Sequence, residues 1–295
     1  MKEFIILIPL YNDWKSVSKL LDEIDNKTKD WAADVSVIIV NDASTEKVSN
    51  ISQSYKKIKF VKILNMKENR VHQRCIATGL KYIYKNEDFD FVIVMDADGE
   101  DRPEELNDFY KKTEENPNMT ITGNRFKRSE GFIFKFLYEV HKVLTFIFTG
   151  KLIKFGNFSC LPKPHVGILL EKAYLWNSYS SAVTSAIKER TFIHSTRGVR
   201  YVLPSKMNFV GLVFHSLAII SVFKKTVIAR SIILSFIYLF LIIQNISLLT
   251  LFPIFFLILF VFTIQKISKR ENMEEFNKAL DNIDSIDILA NSDGR

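Results

Sequence analysis

Cysteine is scarce in this sequence, and nothing before its first apolar run has the form of a signal peptide. The two cysteines, Cys75 and Cys160, form neither a disulfide framework nor a metal-binding spacing, which predicts free thiols in a reducing compartment. The N-terminus leads directly into Phe4–Ile8, which is too short for the apolar core of a signal peptide. We therefore interpret Phe4–Ile8 as part of a β-strand.

The chain also lacks an arginine-rich arm and any repeat of basic and aromatic residues, so nucleic acid is not an expected partner. Its formal net charge of +7 is unevenly distributed, because Glu271–Arg295 carries −5 and residues 1–270 therefore carry +12. The positive charge of residues 1–270, next to a membrane-like sequence, favours anionic lipid head groups or phosphorylated substrates as partners.

One long stretch has almost no charge. Between Val227 and Ile264 the only charged side chain is that of Arg230. Because a spanning helix needs about 20 apolar residues, the stretch predicts a transmembrane helical hairpin at 227–265 with its turn near Gln244–Ser247. Basic residues flank the hairpin on both sides: Lys224, Lys225, Lys266, Lys269 and Arg270. The positive-inside rule then predicts a multi-pass protein of the inner (cytoplasmic) cell membrane, with both ends and its main domain in the cytoplasm.

Two shorter apolar stretches precede the hairpin. The Phe-rich segment 131–150 fits either a buried core helix or an amphipathic helix in a membrane interface, and its aromatic content favours the interface. A second amphipathic, juxtamembrane segment spans 207–226. The chain is thus divided into a cytoplasmic domain at 1–206, the juxtamembrane segment, the hairpin and an acidic cytoplasmic tail at 266–295. The tail shows sparse helical spacing and has no predicted function.

Residues 1–124 alternate apolar runs with helical patterns. Strands are predicted at Glu3–Ile8, Val35–Val40, Lys59–Leu64, Phe91–Met95 and Met119–Thr122, and helices at Val17–Ile24, His72–Tyr84 and Glu104–Glu114. Near-continuous Val and Ile strands that alternate with helices indicate an α/β fold, a Rossmann-like and mainly parallel sheet with helices on both faces. In such sheets the functional site lies at the carboxyl ends of the strands.

The fourth predicted strand ends in a loop crowded with carboxylates. Within six residues it contains four acidic side chains: Asp96, Asp98, Glu100 and Asp101. Gly99 and Pro103 indicate a turn. Crowded carboxylates repel one another unless a cation neutralises them, and oxygen ligands at alternate positions suit Mg²⁺ or Mn²⁺. A solvated acidic turn that caps the helix near Glu104 is the alternative. Asp13 and Asp42 also follow strands closely and should face the same crevice, which favours a functional site.

Five motifs together resemble the inverting glycosyltransferases of family 2, which have the GT-A fold. In chain order they are Ile8–Asp13, Val40–Ser44, Met95–Glu104, Gly123–Arg125 and Arg200–Lys206. Because a membrane hairpin follows them, the closer resemblance is to the polyprenyl-phosphate branch, which is similar to dolichol-phosphate-mannose synthase. The chain departs from the family pattern at several motif positions: Asp13, Asn41, Ala43, Glu100 and Leu203.

The resemblance implies a role for each motif. It assigns nucleotide-sugar binding to Pro9, Tyr11, Asp13, Val40, Asp42, Asp96, Ala97, Arg125, Arg200 and Lys206. Asp96, Asp98 and Glu100 would hold Mg²⁺ or Mn²⁺ on the donor diphosphate, where the metal would stabilise the leaving group. Catalysis is assigned to Asp98, Glu100 and Asp101. The basic residues would bind diphosphate or lipid phosphate, with surface charges facing lipid as the plainer alternative.

The acceptor is the open part of this prediction. A polyprenyl phosphate is already anionic at neutral pH and attacks without a general base, whereas a sugar hydroxyl needs one. Gly156–Ser159 has Asn157 where lipid-phosphate members of the family often have aspartate. Glu100 or Asp101 is then a candidate base instead.

The sequence therefore predicts a membrane-anchored, inverting glycosyltransferase that moves a sugar from a UDP- or GDP-sugar to undecaprenyl or dolichyl phosphate. One alternative is a family 2 enzyme that acts on a saccharide or lipid hydroxyl in cell-surface polysaccharide assembly. Another is a non-catalytic, membrane-tethered binding or scaffold protein. A sugar nucleotidyltransferase normally carries a Gly-rich phosphate loop, and Ile8–Asp13 contains no glycine. Homo-oligomerisation is left open.

Overall fold

The computed structural model of the chain describes residues 1–48, 51, 54–127, 132–202 and 209–290. Lys206 and the second half of its motif lie outside these residues. In the described ranges one eight-stranded sheet has the order β7-β5-β6-β4-β1-β2-β3-β8. Its strands are β1 (Lys2–Leu10), β2 (Ala33–Asn41), β3 (Ile58–Met66), β4 (Phe91–Val94), β5 (Thr120–Lys127), β6 (Ser159–Pro162), β7 (Arg190–Thr196) and β8 (Ile283–Ala290).

The sheet is mixed, with parallel pairing at its centre. β1 pairs in parallel with β2 and β4, and β2 pairs in parallel with β3. β5 and β7 form another parallel pair, while β6 lies antiparallel between β4 and β5. Four of the seven described pairings are parallel, which confirms the mainly parallel α/β prediction. The carboxyl ends of β1, β2, β4, β5 and β7 therefore meet at one edge.

Helices cover both faces of this sheet. In chain order the helices are α1 (Trp14–Thr28), α2 (His72–Asn86), α3 (Leu106–Glu115), α4 (Phe132–Thr149), α5 (Lys163–Leu170), α6 (Tyr179–Ala186), α7 (Phe209–Ser221), α8 (Lys224–Ile242), α9 (Leu248–Ser268) and α10 (Met273–Asn277). α1 and α3 bury one apolar core on one face, and α2, α5 and α6 bury a second core on the other. The i, i+3, i+4, i+7 spacing predicted for α1 places Val17, Leu20 and Ile24 fully inside the first core.

Four apolar helices pack against one another in pairs: α4, α7, α8 and α9. α8 and α9 are each long and apolar enough to cross a membrane, and few of their side chains are buried by the protein. Phe240 and Leu248, for example, are 76% and 91% exposed. The turn between the two helices lies at 243–247, as predicted, and Pro253 stands inside α9. This exposed apolar surface is what a lipid environment would cover.

Arg230, the single charge of the predicted hairpin, has a structural partner. Its Nη1 donates to the backbone carbonyls of Phe146 and Ile147, at 3.2 and 2.9 Å, at the end of α4. Positive charge is favourable at a helix carboxyl terminus because the last carbonyls have no intrahelical partner. Arg230 therefore fastens α4 to α8, so the Phe-rich helix and the hairpin are one packed unit.

The acidic tail returns to the sheet. After α10, strand β8 pairs antiparallel with β3 from Met66↔Ile283 to Phe60↔Ala290. Nδ2 of Asn65 donates to the side chains of Ser285 and Asp287, at 3.1 and 2.8 Å. The sparse helical spacing of the tail accounts for α10 alone, and the pairing of β8 was not predicted from the sequence.

Phe276 of α10 is fully buried, with its ring 5.4 Å from that of Trp176. Replacing Phe276 with alanine should lower the free energy of unfolding by about 3–5 kcal/mol, because a cavity would separate α10 from the domain. Ile288→Ala on β8, where the side chain is 60% exposed, should cost less than about 0.5 kcal/mol. Denaturant unfolding in detergent, followed by tryptophan fluorescence, measures both. Equal losses would show that Phe276 does not anchor the tail.

Candidate active site

The carboxyl edge of the sheet brings together most of the predicted site residues. Asp13 follows β1, Asp42 follows β2, and the acidic loop, which we define as residues 96–101, follows β4. Arg125 lies in the carboxyl half of β5, and Arg200 follows β7. The strand pairing therefore gathers residues that are far apart in sequence, as the predicted fold requires.

Asp101 anchors the acidic loop from inside. Its side chain is 1% exposed, and its Oδ2 accepts a hydrogen bond of 2.9 Å from the backbone amide of Asp96. Nη2 of Arg125 donates to its Oδ1 at 3.1 Å, and the Arg125 side chain is itself only 12% exposed. Both carboxylate oxygens of Asp101 are thus engaged in holding the loop. The predicted role as a general base stays a prediction.

A segment that follows β7 closes over the acidic loop, and we call residues 197–201 the arginine segment. Arg200 donates from Nε to Glu100 at 2.8 Å, and its Nη2 lies 2.9 Å from Oδ2 of Asp98. Arg197 pairs with the second oxygen of Glu100 at 2.5 Å. These arginine side chains are about one-fifth exposed, so they are not surface charges that face lipid.

Backbone contacts fix the same segment. The amide of Gly198 donates to the Glu100 carbonyl at 2.8 Å, and the amide of Tyr201 donates to the Asp98 carbonyl at 2.9 Å. Gly99 has a positive φ of 85°, and a Cβ there would lie 2.7 Å from the Tyr201 ring. The glycine in the acidic loop is therefore required both by its backbone conformation and by the close approach of the arginine segment.

Asp96 lies in a different environment from Asp98 and Glu100. Its Oδ1 accepts from Nδ2 of Asn157 at 3.0 Å and lies 3.2 Å from Nε2 of His72. The amide of Asn157 also lies 2.8 Å from that histidine nitrogen. The asparagine at 157, which departs from the aspartate often found in lipid-phosphate members, is thus a donor to Asp96. A carboxylate there would repel it.

The carboxylates of the acidic loop differ in their affinity for protons. Burial opposes the charge of Asp96, but His72 and Asn157 hold its pKa below the ordinary value for aspartate. Burial, and then the charges of Asp96 and Glu100, raise the pKa of Asp98 to about 6. Burial and Asp96 also raise the pKa of Asp101, against the influence of Arg125. Conversely, burial lowers the pKa of His72, but Asp96 outweighs it and leaves that pKa raised.

Asp42 is buried and binds the loop that leads into α2. Its Oδ1 accepts from the amide of Arg70 at 2.7 Å, and its Oδ2 accepts from the amide of Val71 at 2.9 Å. Val71 has a positive φ of 73°, which is strained for a β-branched residue. Asp42 therefore satisfies two amides and stabilises this strained turn.

The remaining predicted donor-site residues fall into two groups. The side chains of Pro9, Val40 and Ala97 are buried, so the nucleotide contact predicted for them would have to come from their backbone. Tyr11 is 44% exposed and Asp13 is half-buried. Asp13 precedes α1 as its N-cap residue, and its side chain makes no capping hydrogen bond to the helix amides.

The predicted metal site is not assembled in this arrangement. In the part of the chain that the structure describes, no three His, Cys, Asp or Glu side chains are placed to hold a metal ion. Both oxygens of Glu100 are bound by arginines, and Asp98 accepts from Arg200 and from a backbone amide. Guanidinium groups therefore neutralise the acidic loop in this arrangement, and the assignment of Asp96, Asp98 and Glu100 as ligands of Mg²⁺ or Mn²⁺ stays a prediction.

Three residues of this site were not assigned by the sequence reasoning: His72, Asn157 and Arg197. His72 has no metal-ligand spacing, and its partner Asp96 is 24 positions away. Arg197 lies outside the Arg200–Lys206 motif. The available signal for Arg197 was its position as a second arginine three residues before Arg200. In the structure Arg197 pairs with the second carboxylate oxygen of Glu100.

The structure is similar to TarS residues 1–349 of S. aureus in complex with UDP-GlcNAc, with a TM-score of 0.50 and 15% identity over 96% of this chain and 89% of that one. It is also similar to glucosyl-3-phosphoglycerate synthase of Mycobacterium tuberculosis in complex with Mn²⁺, UDP and glucosyl-3-phosphoglycerate. That TM-score is 0.52, with 12% identity over 78% of this chain and 80% of the other. The fold is thus of the GT-A class.

The family follows from the sequence match. The profile of glycosyl transferase family 2 matches residues 5–175, more than half of the chain, and the protein therefore belongs to that family. A relative described as uncharacterized glycosyltransferase sll0501, from Synechocystis sp., is 25% identical over 144 residues. That alignment covers 48% of this chain and 44% of the relative, so the match spans less than half of the relative's length.

Proposed function

We propose that this glycosyltransferase moves a sugar, with inversion, from a nucleotide diphosphate sugar to a polyprenyl phosphate in the membrane. The observation that carries the proposal is the position of the acidic loop and its arginines beside the apolar helices. Ser181 of α6 donates to the carbonyl of Ile219 on α7 at 3.0 Å, and the amide of Tyr179 in the same helix donates to the side chain of Gln73, the residue after His72, at 2.6 Å. We call α4, α7, α8 and α9 together the apolar unit. One of its helices therefore borders the site, where a lipid-linked phosphate would arrive.

The donor is proposed to lie along the carboxyl edge. Tyr11 and Asp13 are accessible there, and a carboxylate accepts hydrogen bonds from a base or ribose. Arg200 and Arg197 are proposed as the cations for the diphosphate, because guanidinium groups donate charge-assisted hydrogen bonds to phosphate oxygens. Lys206 is proposed as a further cation. UDP is the first nucleotide to test, since the TarS and M. tuberculosis neighbours are complexes with UDP-GlcNAc and UDP.

The state of the carboxylates favours a phosphate acceptor over a hydroxyl. Glu100 has both oxygens paired with arginine, and Asp101 is buried with both oxygens engaged. Neither is a free base for an attacking hydroxyl. A polyprenyl phosphate needs no base because it is already anionic. The proposed reaction forms a bond from its phosphate oxygen to the anomeric carbon and releases the nucleoside diphosphate.

The apolar unit is proposed to fix the enzyme to the inner membrane. α8 and α9 would span the bilayer, α4 and α7 would lie in its interface, and the sheet domain would stand in the cytoplasm. The basic flanks of the hairpin support this orientation. A reporter inserted in the turn at 243–247 should read as non-cytoplasmic, and a cytoplasmic signal there would refute the hairpin.

The proposed activity can be tested directly with the full chain in detergent. The protein would be incubated with undecaprenyl or dolichyl phosphate and a panel of radiolabelled UDP- and GDP-sugars, in parallel samples with Mn²⁺ and with EDTA. We expect a labelled, chloroform-soluble product from at least one donor, with nucleoside diphosphate released in equal amount.

Other outcomes decide between the alternatives. Transfer to a saccharide without any labelled lipid would support a family 2 enzyme of polysaccharide assembly and overturn the lipid acceptor. Binding of a nucleotide sugar without turnover on any acceptor would support a scaffold role. Release of free sugar from the donor, with no lipid product, would equally contradict the proposal.

A further inference from the structure

The turn at residues 70–74, formed by the end of the loop before α2 and the first residues of that helix, contacts separate parts of the molecule. The amides of Arg70 and Val71 bind the carboxylate of Asp42. The next side chain, His72, lies 3.2 Å from Asp96. A short stretch of backbone therefore contacts the carboxylates that follow β2 and β4, both of which belong to the proposed donor site.

The same turn is tied to the acidic tail by Glu275. Its Oε1 lies 3.0 Å from Nη1 of Arg70 and 2.9 Å from Nη1 of Arg74, and Nη2 of Arg74 donates to its Oε2 at 3.2 Å. The Arg74 side chain is 17% exposed and its guanidinium stacks over Trp176 at 4.9 Å. Partly buried, bidentate pairs of this kind are stronger than exposed ones. Arg70 also contacts the more exposed Glu68.

The tail holds Glu275 in place independently of these arginines. Phe276, the next residue, is fully buried. Nζ of Lys81 on α2 donates to the carbonyls of Phe276 and Asn277, at 2.7 and 2.9 Å. The amide of Glu275 is itself capped by Asn272 at 3.0 Å. These contacts hold the backbone around Glu275 in place, so its carboxylate can stabilise the strained turn at Val71 through Arg70 and Arg74.

We infer that Glu275 is a positioning residue for the donor site, which it orders by holding Arg70 and Arg74 so that the loop leading into α2 presents its amides to Asp42. The inference rests on the proposed donor function. It gives the acidic tail a role in nucleotide binding, although Glu275 lies 174 residues beyond Asp101, the last residue of the acidic loop. Glu275 acts through the turn and does not itself contact the ligand.

Hydrogen exchange tests the structural half of this inference without a ligand. In a Glu275→Gln variant of the full chain, the amides of Arg70 and Val71 should exchange about tenfold faster than in the wild type, whereas the β3–β8 amides should be unchanged. Glu274→Gln is the matched control, because Glu274 is 81% exposed and pairs with the exposed Lys278 at 3.2 Å. Faster exchange along β8 as well would mean that the tail had detached, which would contradict a local positioning role.

Nucleotide binding tests the functional half. Titration calorimetry with UDP and with GDP, each in the presence of Mn²⁺, would give Kd for the wild type and both variants. For the nucleotide that binds the wild type, Glu275→Gln should raise Kd about tenfold, and Glu274→Gln should change it less than twofold. Glu275→Asp, which keeps the charge, should recover part of the loss.

The outcomes separate the two proposals. If the wild type binds UDP or GDP and Glu275→Gln matches Glu274→Gln in Kd, the positioning role is wrong. If the wild type binds neither nucleotide, the proposed donor function is wrong, and the exchange experiment still shows whether Glu275 orders the turn. Unchanged exchange at Arg70 and Val71 would overturn the inference whatever the nucleotide result.

Discussion

An Asp98→Ala variant is expected to lose about 10³-fold in kcat/KM for sugar transfer while it unfolds like the wild type. Asp98 accepts from the amide of Glu100 at 3.0 Å and pairs with Arg200 at 2.9 Å. The substitution removes one of the two carboxylates that orient Arg200, the cation proposed for the diphosphate. A preorganised charge is most effective where the transition state develops charge, and its loss therefore appears mainly in turnover.

The fold should survive this substitution because other contacts hold the acidic loop. The Asp101–Arg125 pair lies beneath the loop, and the hydrogen bond from the Tyr201 amide uses the backbone of Asp98. Burial and the neighbouring carboxylates raise the pKa of Asp98 to about 6. Removing its carboxylate therefore also relieves repulsion within the loop, which offsets part of the lost pairing.

A matched control separates the site from a general effect of removing aspartate. Asp88 is 96% exposed, precedes β4 at the opposite edge and pairs with Lys163 at 3.1 Å. Asp88→Ala should leave both activity and unfolding within error of the wild type. Sugar transfer by Asp98→Ala within about tenfold of the wild type would remove Asp98 from the proposed machinery, and Asp98→Asn should be as inactive as the alanine variant.

The central strands could be predicted because their signal is local. The apolar run Val35–Val40 lies in β2, and Phe91–Met95 covers β4 and the residue after it. Helices cover both faces of these strands, so nearly every residue in them is buried. The sequence of β8, in contrast, contains no continuous apolar run of this kind. Its outward side chains include Ile286 and Ile288 beside aspartates, and its partner β3 lies more than 200 residues earlier. Such an edge strand has the composition of a tail, and its pairing cannot be read from periodicity.

The same distinction separates the predicted and the unpredicted parts of the site. The acidic loop is a local motif, and the sequence places it correctly after a strand. The partners of its carboxylates are not local. Glu100 was interpreted as a metal ligand, yet Arg197 and Arg200 reach it from about 100 residues away. Charge balance required a cation near the loop, but residue spacing could not decide between a metal ion and guanidinium.

The buried pair formed by Asp101 and Arg125 gives the second large expected effect, this time on stability. Asp101→Ala should lower the free energy of unfolding by about 3–5 kcal/mol, because it leaves the Arg125 guanidinium buried without its partner. The amide of Asp96 would lose its acceptor as well. A general base, in contrast, could be removed at little cost in stability.

A double-mutant cycle isolates the pair itself. Asp101→Ala, Arg125→Ala and the double variant would each be unfolded by denaturant in detergent, and the double variant should cost about 2 kcal/mol less than the sum of the single ones. The same cycle on the exposed Lys163–Asp88 pair should give a coupling below about 1 kcal/mol. If the two couplings are equal, or if Asp101→Ala is inactive yet as stable as the wild type, Asp101 is not the anchor of the loop and the predicted catalytic role becomes the better explanation.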